Sequence, residues 1–366
     1  MPSALVVGGT GPTGPGIVLG LLELGYTVEI LHTGRHETDL PAEVGHIHTD
    51  PNFLETLRPA VEDRRFDVVL GMYGRLRIFP DAMLGVTDRL ITVGGATFHE
   101  RDSRPAHETS PRVTGLTFYE RMLEAEKAIF DAHVRGDYQI THLRYPAVYG
   151  PRQQWPTEWS VMRRILDGRR RIPVVDGGLP LFARVYAENA VDAILLAVKH
   201  PDRASGQSYN VADLFGGSDA DRVRAIAKCL SVDDLELVSV PSSLRMPSYY
   251  PGVSRGIRNP GSAAPWAEHE LIDSSKIRRE LGHVDRVDFD TAIERTVAWY
   301  LANSPEPGGE IERHLGDPFD YELEDRFLAS LDTALGQVDM KVLNVPSRYT
   351  HPYDHPKQPL PLDQPS

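Results

Sequence analysis

The chain has 366 residues, of which 41% are hydrophobic and 25% charged, a composition typical of a soluble α/β protein with a full core. Its net charge of −13 argues against nucleic acid as a partner, because backbone binding depends on Lys and Arg replacing counterions. No apolar run approaches the roughly 20 residues that span a bilayer, and the N-terminus has no basic region or cleavage site. The sequence therefore predicts a cytoplasmic protein without membrane contact.

The most informative segment is a glycine-rich loop that separates a predicted strand, 4–7, from a predicted helix that ends before Gly25. Glycine permits a tight turn and a close approach of backbone N–H groups to phosphate, and a helix N-terminus adds partial positive charge. The loop is therefore predicted to bind the pyrophosphate of a dinucleotide, the alternative being a glycine turn without ligand. The candidate residues in it are Gly8, Thr10, Gly11, Pro12, Thr13 and Gly14.

Strand and helix signals alternate through the first part of the chain. Strands are predicted at 4–7, 27–31, 46–48, 67–70, 90–93 and 138–144, and helices from the glycine loop to Leu24 and at 52–62, 80–84 and 115–134. Alternation of this kind predicts a parallel sheet that is covered by helices on both faces.

After residue 150 the alternation weakens, which indicates a second lobe. We predict a dinucleotide-binding domain over 1–150 with returning elements at about 180–212, and a substrate lobe mainly over 151–305. A helix near 323–335 and a proline-rich tail are expected in 306–366. Four aromatic residues of the second lobe either line a substrate pocket or pack in the core of that lobe. They are Trp155, Trp159, Tyr249 and Tyr250.

Two further features carry smaller predictions. Cys229, the only cysteine, falls in an apolar helical pattern and is expected to be a buried thiol. In the tail, His351 and His355 are followed by prolines that break any helix aligning them, so no metal site is predicted there or elsewhere.

Taken together, the motifs over roughly residues 3–304 resemble the extended short-chain dehydrogenase/reductase family, in its nucleotide-sugar epimerase and dehydratase group. The matching segments are 8–14, 66–69, 143–152, 185–194, 209–211, 273–282 and 297–300. The resemblance implies a Rossmann-type doubly wound parallel sheet with a smaller C-terminal substrate lobe. In relatives the counterpart of 144–152 runs beneath the nicotinamide ring, which makes Tyr145, Pro146 and Val148 candidate cofactor contacts.

The end of the second strand bears on the choice of cofactor. Members of the family that use NAD place a carboxylate there to bind the ribose hydroxyls, whereas this chain has His32 and then Arg35. Arg35 is able to pair with a 2′-phosphate, so NADP(H) is favoured over NAD(H). Asp50 matches an adenine-contacting aspartate of the family, or is a surface aspartate. Tyr73 completes the predicted cofactor-binding set.

The proton relay of the family is absent from the positions where the resemblance expects it. Phe118 stands for the tyrosine and Met122 for the lysine of the Tyr-x-x-x-Lys pair, and Gly95 replaces the hydroxyl residue. The only literal match to the pair, Tyr353 to Lys357, is interrupted by a proline and is accidental.

Other residues are therefore candidates for the catalytic acid. They are Thr97, Tyr119 and His99, with Tyr73 as a further possibility. Tyr119 is adjacent to the usual position, but one residue turns a helical side chain by about 100°, so it needs a shifted helix register to act.

Three interpretations of the function follow. The chain is an oxidoreductase or epimerase-like enzyme that acts on a small organic substrate with an unusual acid. Alternatively, it is a non-redox enzyme on the same fold, or a binding protein that senses NADP(H) or docks a partner. A homodimer is expected, because the helix that carries Phe118 and Met122 pairs with its twin in members of the family.

Overall fold

A computed structural model describes residues 1–35, 38–72, 76–96, 99, 105–115, 117–153, 155–251 and 269–339, with the backbone alone at 117 and 118. The chain forms two compact units, Met1–Pro318 and Phe319–Ser366. The second unit holds one described helix, whose first turn is capped by the Asp320 side chain accepting from the Leu323 N–H at 2.9 Å.

The strands of the first unit follow the predicted alternation. They are β1 Ser3–Val7, β2 Thr27–His32, β3 Gly45–His48, β4 Val68–Met72, β5 Arg89–Gly95, β6 Gln139–Tyr145, β7 Ala147–Tyr149, β8 Arg171–Val175, β9 Arg184–Tyr186, β10 Gln207–Asn210 and β11 Glu236–Val240. Seven form one parallel sheet in the order β10-β6-β5-β4-β1-β2-β3. The pairs β7-β9 and β8-β11 form two smaller parallel sheets.

Helices cover both faces of the large sheet. In chain order, the helices of the first unit are α1 Gly14–Glu23, α2 Leu54–Val61, α3 Phe79–Ala82, α4 Thr117–Arg135, α5 Thr157–Leu166, α6 Ala187–Lys199, α7 Pro201–Ala204, α8 Asp219–Cys229, α9 Ser275–Leu281, α10 Phe289–Ala302 and α11 Glu310–Leu315, with α12 Tyr321–Gly336 in the second unit. The fold is therefore the predicted Rossmann-type doubly wound α/β architecture.

The strand period of two divides the apolar side chains between the two faces. Val6 and Ile30, which are register partners, pack with α1 and α6 in one buried cluster. Leu5 and Leu31 pack on the opposite face with α2, α3 and α4. Because parallel strands end at one edge, the loop after β1 lies beside the ends of β2 and β4.

Glycines set how closely α1 packs against α6. A Cβ added at Gly16 would lie 2.9 Å from Cγ2 of Val191, and one added at Gly20 would lie 2.3 Å from Cδ1 of Leu195. A side chain at either position would require Val191 or Leu195 to move.

The prediction for Cys229 is wrong, because this thiol is exposed. The buried face of α8 runs through Val223, Ile226 and Ala227. Cys229 lies two residues beyond Ala227, a rotation of about 200° that turns it away from the core. The apolar pattern identified the helix correctly but not the phase of its last turn.

The boundaries proposed near residues 150 and 305 stay predictions. Among the described residues, no helix combines the length and the apolar character that crossing a membrane requires.

Candidate functional site

The glycine loop connects β1 to α1 at the carboxyl edge of the sheet. Gly8 and Gly9 have φ of +113° and +92°, which favour glycine, and the Gly8 N–H donates to the carbonyl of Leu31 at 2.9 Å. Thr13 precedes α1 but makes no side-chain capping bond, and Pro15 occupies its first turn. The first turn of α1 is thus left open to an external anion.

The ends of β2 and β3 lie next to this loop in the sheet. His32 is 5% exposed, and its Nδ1 accepts from the N–H of Gly34 at 3.2 Å. Arg35 is exposed. Asp50 Oδ1 accepts from the backbone N–H and the side-chain amide of Asn52, at 2.9 and 2.8 Å. The fold therefore gathers the loop, His32, Arg35 and Asp50 at one edge, as the cofactor prediction requires.

The segment after β6 runs along the end of β5. The Ala96 N–H donates to the carbonyl of Tyr145 at 2.9 Å. The Tyr145 side chain turns inward, where its hydroxyl donates to the carbonyl of Ala190 at 2.7 Å. Pro146 is buried and Val148 partly buried against the core. This segment therefore forms a wall beside the end of β5, and the cofactor contacts expected of it stay predictions.

Of three candidate proton donors, the structure describes only one side chain. Thr97 and Tyr73 lie outside the described residues. Tyr119 lies on α4, one residue after Phe118, and is 8% exposed. A role for any of the three in proton transfer stays a prediction.

His99 is the candidate with the most distinctive surroundings. It is 3% exposed, and its Nδ1 lies 3.3 Å from the carbonyl oxygen of Ser110, to which it donates. Its Nε2 is buried and has no hydrogen-bond partner among the described residues. Burial and the nearby charge of Arg112 lower the pKa of His99 to about 4. Near neutral pH this imidazole is therefore uncharged and offers the lone pair of Nε2 as a proton acceptor.

A buried ion cluster connects α4 to β6 beside His99, and sequence analysis missed it. Arg144 donates to Glu126 from Nε at 3.1 Å and from Nη2 at 2.7 Å, and Arg112 donates to the same carboxylate at 3.2 Å. Burial alone would raise the pKa of Glu126, but contact with His142 and the charges of Arg144 and Arg112 lower it overall. Glu126 therefore stays ionised in this cluster, one helical turn beyond Met122 on α4.

A second polar cluster that the sequence did not reveal centres on Asp213, just after β10. Its carboxylate accepts from the Tyr149 hydroxyl at 3.2 Å, the Tyr186 N–H at 2.9 Å and the Asn189 side chain at 2.9 Å. Burial raises the pKa of Asp213 to about 7 despite the bond from Asn189, and the charge of Asp285 contributes. Asp213 thus connects the ends of β7 and β9 to the first turn of α6.

Two of the four aromatic residues singled out in the second lobe are buried, and a role of the others in a substrate pocket stays a prediction. Trp159 is 4% exposed, and its indole N–H donates to Glu312 at 2.9 Å. Tyr250 is buried beneath the guanidinium of Arg164, 4.9 Å from the ring centre. These two pack inside the lobe, whereas Trp155 is 44% exposed.

Comparison with known proteins adds a family match. Residues 82–212 match the model of the NAD dependent epimerase/dehydratase family. The chain is 31% identical to a probable dTDP-glucose 4,6-dehydratase of Sinorhizobium fredii over 37% of this chain and 34% of that protein. It is 27% identical to the dTDP-glucose 4,6-dehydratase of Neisseria gonorrhoeae over 49% of this chain and 50% of that protein. The matches thus span a third to a half of these relatives' length.

Solved structures resemble the fold over a larger share of the chain. The UDP-glucuronic acid 4-epimerase of Bacillus cereus, solved with NAD, has a TM-score of 0.65 at 15% identity and covers 83% of this chain and 100% of its own. The UDP-glucose 4-epimerase of Thermotoga maritima, solved with UDP-glucose, has a TM-score of 0.65 at 17% identity with the same coverage. At this identity the likeness establishes the shared fold.

Proposed function

We propose that this chain, whose residues 82–212 match the NAD dependent epimerase/dehydratase family, is an extended short-chain dehydrogenase/reductase that binds a nicotinamide dinucleotide and transforms a sugar nucleotide or a related small organic substrate. The substrate class follows the names of its relatives, which are dTDP-glucose dehydratases and UDP-sugar epimerases. Hydride transfer or a hydride-dependent isomerisation is the reaction type.

The observation that carries this proposal is the geometry of the glycine loop. Gly8 and Gly9 adopt positive φ, and the loop leads into the open first turn of α1. The loop fits the group chemically, because a helix N-terminus suits a pyrophosphate and the absence of side chains at Gly8, Gly11 and Gly14 lets the phosphates approach the backbone. Hydride exchange with a substrate carbon is the chemistry that a nicotinamide dinucleotide supplies when bound.

The choice between the two dinucleotides is the finer part of the proposal. We favour NADP(H) because β2 ends in His32, which cannot supply the carboxylate that accepts from ribose hydroxyls, and because Arg35 is exposed beside it. Similar structures were solved with NAD, so the preference depends on these two residues of this chain. Replacing Arg35 with Ala should weaken NADPH binding about tenfold or more and leave NADH binding unchanged.

His99 is the proposed proton acceptor. Because His99 is neutral, Nε2 has a lone pair that can take the proton of a substrate hydroxyl that reaches it, while Nδ1–H stays bonded to Ser110; the low pKa makes it a weak base in this environment. The conjugate imidazolium then returns that proton in the reverse step. Thr97 and Tyr119 remain alternative donors.

The first experiment is a fluorescence titration of the purified protein with NADPH and NADH. Saturable binding of either is expected, and binding of neither at millimolar concentrations would refute the proposal. Cofactor absorbance in the presence of dTDP- and UDP-sugars then tests for turnover. His99→Gln keeps a donor to Ser110, so cofactor affinity should be unchanged, but it lacks a basic nitrogen, so turnover should be abolished. Tyr119→Phe should stay active.

The second candidate function is a redox-silent NADP(H)-sensing protein. It is favoured by Phe118 and Met122, which cannot transfer a proton at the positions the family uses. Saturable NADPH binding without any change of cofactor absorbance across the sugar nucleotides would support this alternative. The homodimer and the substrate lobe stay predictions under either function.

A further inference from the structure

Three histidines meet at the edge of the large sheet. His32 is the last residue of β2, and His46 and His48 lie two apart on the neighbouring edge strand β3. In the parallel register, Ile30 pairs with His46 and His32 with His48. The period of two therefore places the three imidazoles on one face. One nitrogen from each ring lies within 4.8 Å of the other two.

The contacts of His32 define the state of this cluster. Its Nδ1 accepts from the N–H of Gly34 at 3.2 Å, so in the neutral ring the proton is on Nε2. That Nε2 lies 3.0 Å from Nδ1 of His46, to which it donates. The two imidazoles thus share one proton, and Nε2 of His32 gains a metal-binding lone pair only when the proton moves to Nδ1.

The three histidines of the cluster differ in burial. His32 is 5% exposed, whereas His46 and His48 are exposed, and their rings are 6.0 Å apart between centres. His32 is held in place by its surroundings, and the two exposed rings can rotate toward a common centre. The position is open to solvent, so an ion can enter and keep water as a further ligand.

We propose that His32, His46 and His48 bind one divalent transition-metal ion of the zinc class. Neutral imidazole suits Zn²⁺, Ni²⁺ and Cu²⁺, whereas Mg²⁺ and Ca²⁺ need oxygen ligands. Metal–nitrogen bonds of about 2.0–2.1 Å require ligand nitrogens no more than about 4.2 Å apart, so a small rotation of the exposed rings completes the site. When the ion binds Nε2 of His32, the ring proton moves to Nδ1, which no longer accepts from Gly34, and the Gly34 N–H, at an exposed position, turns to water.

The charge of the chain and the place of the cluster support this assignment. With a net charge of −13, the protein as a whole attracts cations. An ion held by residues of both strands would cross-link the end of β2 to the edge strand β3. His32 also belongs to the predicted cofactor-binding set, but the three imidazoles come together without a dinucleotide.

Titration of the untagged, chelator-treated full chain with Co²⁺, followed by absorption, and with Zn²⁺, followed by calorimetry, tests the site. We expect one ion per chain and a visible Co²⁺ spectrum typical of nitrogen ligation. His46→Gln and His48→Gln change exposed residues, so both variants should fold, and each should weaken Zn²⁺ binding about tenfold or more. Zn²⁺ should raise the melting temperature of the wild type and not that of the double variant.

The matched control is His314→Gln, an exposed histidine on α11 beside Glu310. This variant should bind Zn²⁺ as the wild type does. Absence of saturable binding, or equal affinities for His46→Gln, His48→Gln and His314→Gln, would overturn the proposal. Because no dinucleotide is present in the assay, its failure leaves the proposed function untouched.

Discussion

Gly9 and Gly14 lie so close together that a Cβ on Gly14 would come within 2.1 Å of the Gly9 carbonyl oxygen. The contact joins the start of the loop after β1 to the first residue of α1. The obstacle is backbone, which cannot rotate away as a side chain does. The loop therefore has its conformation only because position 14 lacks a side chain.

Gly14→Ala should lower the free energy of unfolding by about 3 kcal/mol or more, because the loop must move to relieve the overlap. Urea unfolding measures this change. The displaced loop should also bind NADPH more weakly in the fluorescence titration.

Gly336→Ala is the control for the added methyl group. Gly336 ends α12, and a Cβ added there would meet nothing within 4 Å, so the stability should change by no more than about 1 kcal/mol. Unchanged stability and NADPH affinity in Gly14→Ala would show that the loop tolerates a side chain.

The second prediction concerns the contact of Gly20 with Leu195. Gly20→Ala should change the stability by no more than about 1 kcal/mol, because the Leu195 methyl carbon 2.3 Å from the added Cβ can rotate away and Ala favours the helix. Leu195→Ala should destabilise the protein by loss of apolar contact. The double variant should be more stable than the sum of the two single changes in unfolding free energy predicts, because alanine at position 195 leaves room for the methyl group added at position 20. Additive changes in urea unfolding would contradict direct packing of α1 on α6 at this point.

The third prediction is a pH dependence caused by Asp213. Its pKa is raised to about 7 in the folded chain, from an ordinary value near 4 in the unfolded chain. Between these values the folded state holds the proton and the unfolded state releases it. Asp213 therefore makes stability fall as pH rises from about 4 to 7, by at most about 1.4 kcal/mol per pH unit.

Asp213→Asn removes this dependence, because an amide does not titrate. In the variant one of the two acceptor oxygens becomes an NH₂ donor, so the bonds from Tyr149, Tyr186 and Asn189 cannot all be kept; the variant should be less stable at low pH, and its deficit should shrink as pH rises to 7. Urea unfolding of both proteins at intervals from pH 4.5 to 8 gives the difference, in which the other groups cancel. A difference that does not vary with pH would show that Asp213 is ionised throughout.

The sequence predicted the features that depend on neighbours along the chain. The glycine loop, the strands β1 to β6 and the helices α1 and α4 follow from local periodicity, and their ends were found within about three residues. Contacts between distant residues were missed, such as Tyr149 with Asp213 and Arg144 with Glu126, because pairing of this kind depends on the assembled sheet.

The sequence contained part of the signal that would have predicted the histidine cluster. Each histidine alone has an ordinary role, but His46 and His48 alternate on one strand and His32 ends the strand before it. In a parallel sheet, neighbouring strands with this pattern place the side chains on one face. The register between β2 and β3 decides whether they meet, and no local pattern fixes it.

The last prediction concerns His99, whose pH dependence should have the opposite sign to that of Asp213. Burial and Arg112 lower the pKa of His99 to about 4, below its usual value near 6.5, so between these values only the unfolded chain binds the proton. His99 therefore makes stability rise with pH across this window, by at most about 1.4 kcal/mol per unit, and leaves it constant above pH 6.5. In His99→Gln this contribution is absent, so the stability of the wild type relative to the variant should increase from pH 4.5 to 6.5 in urea unfolding. A constant difference would mean that His99 titrates in the folded chain as it does in the unfolded one, and would remove the basis for a neutral imidazole as the proton acceptor.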